Sequence, residues 1–321
     1  MSARRGQSAL SGVVLLDKPK GPSSHDMVYL LRRATGERRI GHAGTLDPLA
    51  SGLLVMLVGP ATRLSDYLSA AQKSYEFTVV FGTSTDTDDA AGEVVDEMPV
   101  PPCVQEREAA CAYLESLVGT HDQVPPQYSA IKVDGKRAYR NARSGITTDL
   151  APRAIEVFSC MLLDMNPSSS NEGGCAHTSW KVRANVSKGT YIRSLARDIG
   201  AALGTCAHVG DLRRISCGEA DVADALSADC VTDMSAAEIE ACFVDPLPLL
   251  GFPVVEVDDT TMKLIANGNR LECETPCADA AGPFVSVVHD GKLMALYRRV
   301  PDNAMMEAHA VFPGGIHARD L

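Results

Sequence analysis

Residues 41–52 read Gly-His-Ala-Gly-Thr-Leu-Asp-Pro-Leu-Ala-Ser-Gly, and they place one carboxylate, Asp47, among turn-forming residues just ahead of the apolar run Leu53 to Val58. That run predicts a buried strand. Glycines at 41, 44 and 52 accept backbone angles closed to other residues, while Pro48 fixes its own φ and restricts Asp47 before it. The stretch therefore predicts a stiff, shaped loop that carries one acid. Taken alone, an Asp in a turn is an ordinary hydrogen-bonding turn residue. A phosphate-binding loop fails, because no Gly-Lys-Ser or Gly-Lys-Thr closes the stretch onto a helix.

Upstream, Gly12 to Leu16 predicts a short strand, and Asp17-Lys18-Pro19-Lys20-Gly21-Pro22 a turn that ends it. Ser23 or Ser24 then caps a helix running to about Ala34, with Met27, Leu30 and Leu31 on one side. Downstream, Thr62 to Ala70 predicts a helix with Leu64 and Leu68 inward, and Ser74 to Phe81 a strand with Tyr75 at its mouth. The acids Asp86, Asp88 and Asp89 do not make a calcium loop, because Ala90 and Ala91 occupy places that need a ligand and a glycine.

Val104 to Val118 carries a helical pattern. Gly119 to Gly145 changes character, with Pro125-Pro126, a hairpin-like Val133-Asp134-Gly135 and a basic helix from Lys136 to Arg143. Long polar insertions of this kind are usually functional or mobile. Strands are expected over Arg153 to Met165 and Ser179 to Ser187, around a loop from Asn166 to Gly174, and a helix follows Arg193 to Leu203. Beyond an acidic stretch with a helix near Ala236 to Cys242, the prolines 246, 248 and 253 predict a linker. Val285 to Val288 and Leu293 to Tyr297 flank Asp290-Gly291 as a hairpin.

A chain of 321 residues that is 45% hydrophobic is long enough for one large core and a small appended domain. The apolar run Val13 to Leu16 is broken at once by Asp17 and Lys18, so neither a signal peptide nor a membrane span is expected, and the cytoplasm is the expected compartment. Ten cysteines lie scattered with no CxxC pair, Cys273 and Cys277 being the nearest, which predicts reduced and mostly buried thiols. The net charge of -11 opposes phosphate binding in sum. Its distribution does not, because basic residues gather at Arg32 to Arg39, Lys132 to Arg143 and Lys188 to Arg214, apart from the acidic clusters at Asp86 to Glu97 and Glu219 to Asp245. One basic face on an acidic protein can steer RNA while limiting indiscriminate binding.

The dodecamer at 41–52 closely resembles the signature of the TruB-type tRNA pseudouridine synthases, in which the Asp of Gly-His-x-Gly-x-Leu-Asp-Pro is the catalytic nucleophile. Further motifs follow in the family's order over roughly residues 11 to 218. Asp17-Lys18-Pro19-x-Gly21-x-Ser23-Ser24 resembles a segment that braces the catalytic loop, and Lys73-Ser74-Tyr75 resembles Lys-x-Tyr, whose ring stacks on the target base, with a part in proton transfer left open. Thr85 to Asp89 resembles a Thr-Asp-Thr-x-Asp segment whose last acid partners an arginine. Val186 to Arg193, Val-Ser-Lys-Gly-Thr-Tyr-Ile-Arg, is the second strong match, and Ala207 to Arg214 completes the series. The insertion with Tyr128-Ser129-Ala130-x-Lys132-x-x-Gly135-Lys136 resembles the family's thumb, which closes over the RNA T-loop.

The resemblance implies an α+β pseudouridine synthase fold on a mixed, largely antiparallel central sheet, spanning 1–250 with the thumb at about 120–150. A small β-rich, PUA-like RNA-binding domain is expected over 251–321. It implies the catalytic residues Asp47, Tyr75 and Arg193, Arg193 pairing with the nucleophile. It implies substrate contacts from His42, Asp89, Tyr191 and Leu212, phosphate contacts from Lys132, Lys136 and Arg140, and structural support from Lys18, Pro19, Gly44 and Pro48. No metal and no redox cofactor are required. An aspartate with an ordinary pKa near ~3.9 is ionised at neutral pH and needs no general base to act as a nucleophile. Attack on the base, attack on the sugar, and action as a base toward a glycal all stay open. The expected partner is the T-arm stem-loop of tRNA, with no membrane, no obligatory protein partner and a monomeric state. A second role as a tRNA-folding chaperone stays open beside the synthase activity; a chaperone or binding module with catalysis secondary, and an unrelated metabolic enzyme, are the competing functions.

Overall fold

The computed structural model describes residues 10–129, 131–133, 136–142, 144–166, 178–272, 283–300 and 305–318, without the side chains of 132–133, 136–138 and 140. Asp134-Gly135, Arg143, most of the 166–174 loop, and Cys273 with Cys277 lie outside the described residues. The chain divides into two units, one of residues 1–48, 52–70 and 217–321, the other of 49–51 and 71–216.

In the first unit, strand Gly12–Lys18 runs antiparallel to the strand Ser51–Val58, with Gly12 opposite Val58 and Lys18 opposite Gly52. Every residue from Gly52 to Val58 is buried, so both faces of this strand are covered. That is why the run is continuously apolar instead of alternating. Strand Ile40–Ala43 pairs antiparallel with the same strand, and Leu226–Ser227 runs parallel to Leu16 and Asp17. The helix Ser24–Thr35 starts on Ser23, whose hydroxyl accepts the Asp26 N–H while the Asp26 carboxylate accepts the Ser23 N–H in return. This capping box satisfies two otherwise open donors. Gly36 ends the helix at φ 71, a left-handed angle that favours glycine, and donates to the Arg32 carbonyl. Met27, Val28 and Leu31 form its buried face, and Leu30 is half-buried.

The C-terminal stretch forms a five-stranded sheet in the order Val254–Glu256, Phe284–His289, Lys292–Arg299, Met305–His317, Leu271–Glu272. Its core includes Ile265, Val285, Val287 and Tyr297. The expected hairpin turns through Asp290 at φ 48 and Gly291 at φ 65, the two positive angles of a tight two-residue turn.

In the second unit the strand order is Ala207–Cys217, Lys73–Phe81, Ser179–Val186, Arg153–Asn166, Gly119–Gln123. Lys73–Phe81 alternates buried and half-buried residues along its whole length, so Tyr75, Phe77, Val79 and Phe81 share the covered face. Trp180 is fully buried, donates to the Val104 carbonyl at 2.8 Å and meets Phe81 edge-on at 4.7 Å. Parallel and antiparallel pairings together give a mixed, largely antiparallel α+β fold with a β-rich C-terminal sheet.

Four local expectations change. Residues 246–250 form a helix, not a linker: Asp245 caps it by accepting from the Leu247 N–H, and Pro246 at the first position gives up a donor that the helix does not use. The first strand continues through Asp17 and Lys18, because Ser51–Val58 supplies partners that far. Gly59–Leu64 is a 3-10 turn ahead of the short helix Ser65–Leu68, although Leu64 and Leu68 are buried as expected. Lys136–Arg137 is a strand opposite Lys132–Val133, and the helix covers Ala138–Ala142. The expectation of mostly buried thiols also fails: of the described cysteines, Cys103, Cys111 and Cys230 are exposed, Cys206 and Cys242 half-buried, Cys160 and Cys217 buried, and all are free thiols. Cys111 faces outward because the neighbouring Ala110 and Leu114 take the buried side of helix Arg107–Ser116. Among the described residues no helix is long and apolar enough to cross a membrane.

Candidate active site

The loop that bears Asp47 is held through the peptides on either side of it. Leu46, immediately before, is buried, and a single hydroxyl serves both of its backbone groups: Ser24 Oγ donates to the Leu46 carbonyl at 2.9 Å and accepts its N–H at 2.8 Å. Pro48, immediately after, accepts the Gly21 N–H at 2.8 Å. Asp47 itself is half-buried, so a partly open carboxylate sits between two anchored peptides. Gly44 starts the loop at φ 87, an angle that a side chain would strain.

The anchoring segment has its own lock. Lys18 is fully buried, and its Nζ donates to the carbonyls of Pro19 and Pro22, each at 2.8 Å. A buried ammonium is costly unless its donors are used, and here they close the turn that presents Gly21 and Ser24. His42 lies on strand Ile40–Ala43 opposite Met56, its carbonyl accepting from Ser65 Oγ at 3.3 Å.

The second unit holds Arg193 rigidly. This residue lies in the first turn of helix Ile192–Ala202 and is 4% exposed. Its guanidinium donates to the Thr87 carbonyl at 3.0 Å and the Tyr128 carbonyl at 2.9 Å, and lies 3.7 Å from the Asp89 carboxylate. Asp89 is oriented in turn, since its other oxygen accepts from Thr87 Oγ1 at 2.7 Å and the Ala91 N–H at 3.0 Å. The expected Asp89–arginine partnership is therefore present as geometry.

One turn along, Arg197 pairs with Asp88 at 3.0 Å and with Asp198 at 3.0 Å, and donates to the Val124 carbonyl at 2.8 Å. Burial pushes the carboxyl pKa of both acids up, and Arg197 opposes that in each. Asp88 also adopts φ 60, a strained angle for a residue with a side chain. Tyr75 is 7% exposed on the covered face of its strand, and Leu212 is buried on strand Ala207–Cys217. Tyr191 caps the Arg193 helix and is half-buried.

The expected site residues divide between the two units. Lys18, Pro19, His42, Gly44, Asp47 and Pro48 belong to the first, and Tyr75, Asp89, Tyr191, Arg193, Leu212 and the thumb to the second. For Lys132, Lys136 and Arg140 the backbone lies in the thumb hairpin and helix, and their side chains lie outside the described residues. Residues 32–192 match the family description "TruB family pseudouridylate synthase (N terminal domain)", and residues 193–246 match "tRNA pseudouridylate synthase B C-terminal domain". The chain belongs to the TruB family.

A TruB relative named tRNA pseudouridine synthase B, from Bacillus cytotoxicus, is 40% identical over 91% of this chain and 94% of its own length. One of the same name from Thermobifida fusca is 41% identical over 89% and 93%. The structure titled as the archaeal box H/ACA sRNP Nop10-Cbf5 complex shares the fold, with a TM-score of 0.65 at 21% identity over 94% of this chain and 85% of that one. The TruB signature makes this protein a pseudouridine synthase, an isomerase.

Three holding residues escaped the sequence reading of this TruB chain. Ser24 and Gly21 stand inside the segment expected to brace the loop, but the supporting role was assigned to Lys18 and Pro19, leaving Ser24 as a possible helix cap and Gly21 as a turn residue. Gln123 gave no local signal at all, although its side chain grips the backbone of Tyr191.

Proposed function

We propose that this protein converts the T-loop uridine at position 55 of tRNA to pseudouridine. The tRNA assignment is supported by relatives about 40% identical over nine-tenths of the chain that carry the name tRNA pseudouridine synthase B. The observation that carries the reading is Asp47, the one carboxylate of the signature, held on both sides by Ser24 and Gly21.

The reaction breaks the N1–C1′ glycosidic bond, rotates the base and joins C5 to C1′, while C5 gives up its proton and N1 ends protonated. Asp47 is the group that reacts. Inside a folded T-loop the target atoms are out of reach, so the base flips out at a cost of a few kcal/mol. Tyr75 and Leu212 recover part of that by stacking and burial, Tyr191 lines the pocket, and His42 holds the RNA that the base leaves. Arg193 pairs with the Asp47 carboxylate and keeps it ionised, and Asp89 orients Arg193. Lys132, Lys136 and Arg140 grip phosphates as the thumb closes. The 251–321 segment acts as a PUA-like RNA-binding domain beside the 1–250 catalytic domain, and Lys18, Pro19, Gly44 and Pro48 keep the loop in shape. The enzyme works in the cytoplasm as a monomer, with no obligatory protein partner.

A T-arm hairpin carrying tritium at C5 of that uridine tests the reading. Release of tritium to water is expected, with none from a hairpin labelled only at another uridine. Tight binding without release would instead make the protein an RNA-folding chaperone, and neither binding nor release would overturn the substrate assignment.

A further inference from the structure

Near the start of the thumb insertion, Gln123 is the last residue of strand Gly119–Gln123, where it lies opposite Arg153. Gln123 is 3% exposed, and its amide reaches 68 residues along the chain to bond both backbone groups of Tyr191: the Tyr191 N–H donates to Oε1 at 2.8 Å, and Nε2 donates to the Tyr191 carbonyl at 3.1 Å. Tyr191 is the N-cap of the Arg193 helix, a position with no side-chain cap bond of its own. The next residues of the insertion continue the attachment. The Val124 carbonyl accepts from Ser194 Oγ at 2.9 Å and from Arg197 at 2.8 Å, and the Tyr128 carbonyl accepts from Arg193 at 2.9 Å.

We infer that Gln123 is a positioning residue for the pseudouridine synthase reaction, splinting the root of the thumb to the first turn of the helix that carries Tyr191 and Arg193. A primary amide suits this task because it offers one donor and one acceptor side by side, matching the carbonyl and N–H of one residue. Gln123 is buried and Tyr191 half-buried, so removing the amide leaves a part-buried N–H and carbonyl without this partner. The splint also gives the thumb a route to the site: a force on residues 124–128 acts on the carbonyls that hold Arg193, Ser194 and Arg197. This inference rests on the assignment of Arg193 to the reaction.

The test uses the full-length enzyme and the tritiated T-arm hairpin. Gln123→Met keeps the volume and removes both hydrogen bonds. Its single-turnover rate constant is expected to fall by about 10-fold to 100-fold, the size of effect that a small misplacement of reacting groups produces, while the hairpin Kd stays within about twofold. Added to Arg193→Ala, Gln123→Met is expected to cost little more, since residues that act as a unit are not additive. If the Met variant does not fold, Gln123→Glu, which keeps the acceptor and loses the donor, is measured in the same way. A rate within twofold of the parent, or a loss that appears wholly in Kd, or full additivity with Arg193→Ala, overturns the inference. Failure of the parent enzyme to release tritium would overturn the functional reading instead.

Discussion

Ser24 holds both backbone groups of Leu46 through one hydroxyl, donating to its carbonyl at 2.9 Å and accepting its N–H at 2.8 Å, although the two residues lie 22 positions apart. The next residue is Asp47, so the hydroxyl fixes the peptide from which the carboxylate projects. Ser24→Ala leaves a buried donor and acceptor without this partner, which costs about 1–3 kcal/mol. Chemical denaturation of the variant checks that figure. Tritium release should fall by more than hairpin affinity does, and a stability loss below about 0.5 kcal/mol would show that the loop keeps its shape without the hydroxyl.

Asp47→Asn should abolish turnover and leave hairpin affinity near that of the parent. The amide cannot act as a nucleophile or base, whereas phosphate contacts supply most of the binding. Residual turnover within tenfold of the parent would remove Asp47 from the chemistry.

Arg193→Lys should cut the single-turnover rate by about 100-fold or more, because a point ammonium cannot reproduce a planar fork. The native guanidinium meets the Thr87 and Tyr128 carbonyls while facing Asp89 at 3.7 Å. Lys keeps the charge, so an unchanged rate and pH profile would mean that charge alone is required.

Reversing charge at Lys132, Lys136 and Arg140 should weaken hairpin binding and flatten its salt dependence, since each lost phosphate contact lowers the log–log slope by about 0.7–0.9. Binding titrations at several salt concentrations give the slope. An unaltered slope would mark the insertion as a surface loop.

Glu76 gives a pH test of stability. On adjacent strands it faces Arg183, whose hydrogen bond is the main cause that holds its carboxyl below the ordinary value. A lowered folded pKa means that the pair stabilises the protein above the unfolded value of 4.5 and loses that contribution as pH falls through the folded value. Solvent screens the half-exposed Arg183, so Glu76→Gln should cost about 0.2–1 kcal/mol at pH 7. The parent and variant curves should converge in acid, and a gap that persists at low pH would assign the loss to packing.

The local features were legible from residue order because each has a short-range cause. An unbroken apolar run marked a strand covered on both faces at Leu53 to Val58, near-alternation of apolar and polar residues marked the half-covered strand through Tyr75, and Asp290-Gly291 marked a hairpin because both residues tolerate positive φ. The signature around Asp47 was equally plain, since a loop of fixed shape needs its glycines and proline at set places. What tertiary structure alone decided are bonds that hold those pieces, such as Ser24 to Leu46 and Gln123 to Tyr191. A side chain bonded to a backbone group tens of residues away leaves no period and no turn signal, because any residue can supply the backbone partner. The helix at 246–250 shows the same division from the other side, where three nearby prolines suggested a break and one capping aspartate, Asp245, made a helix start.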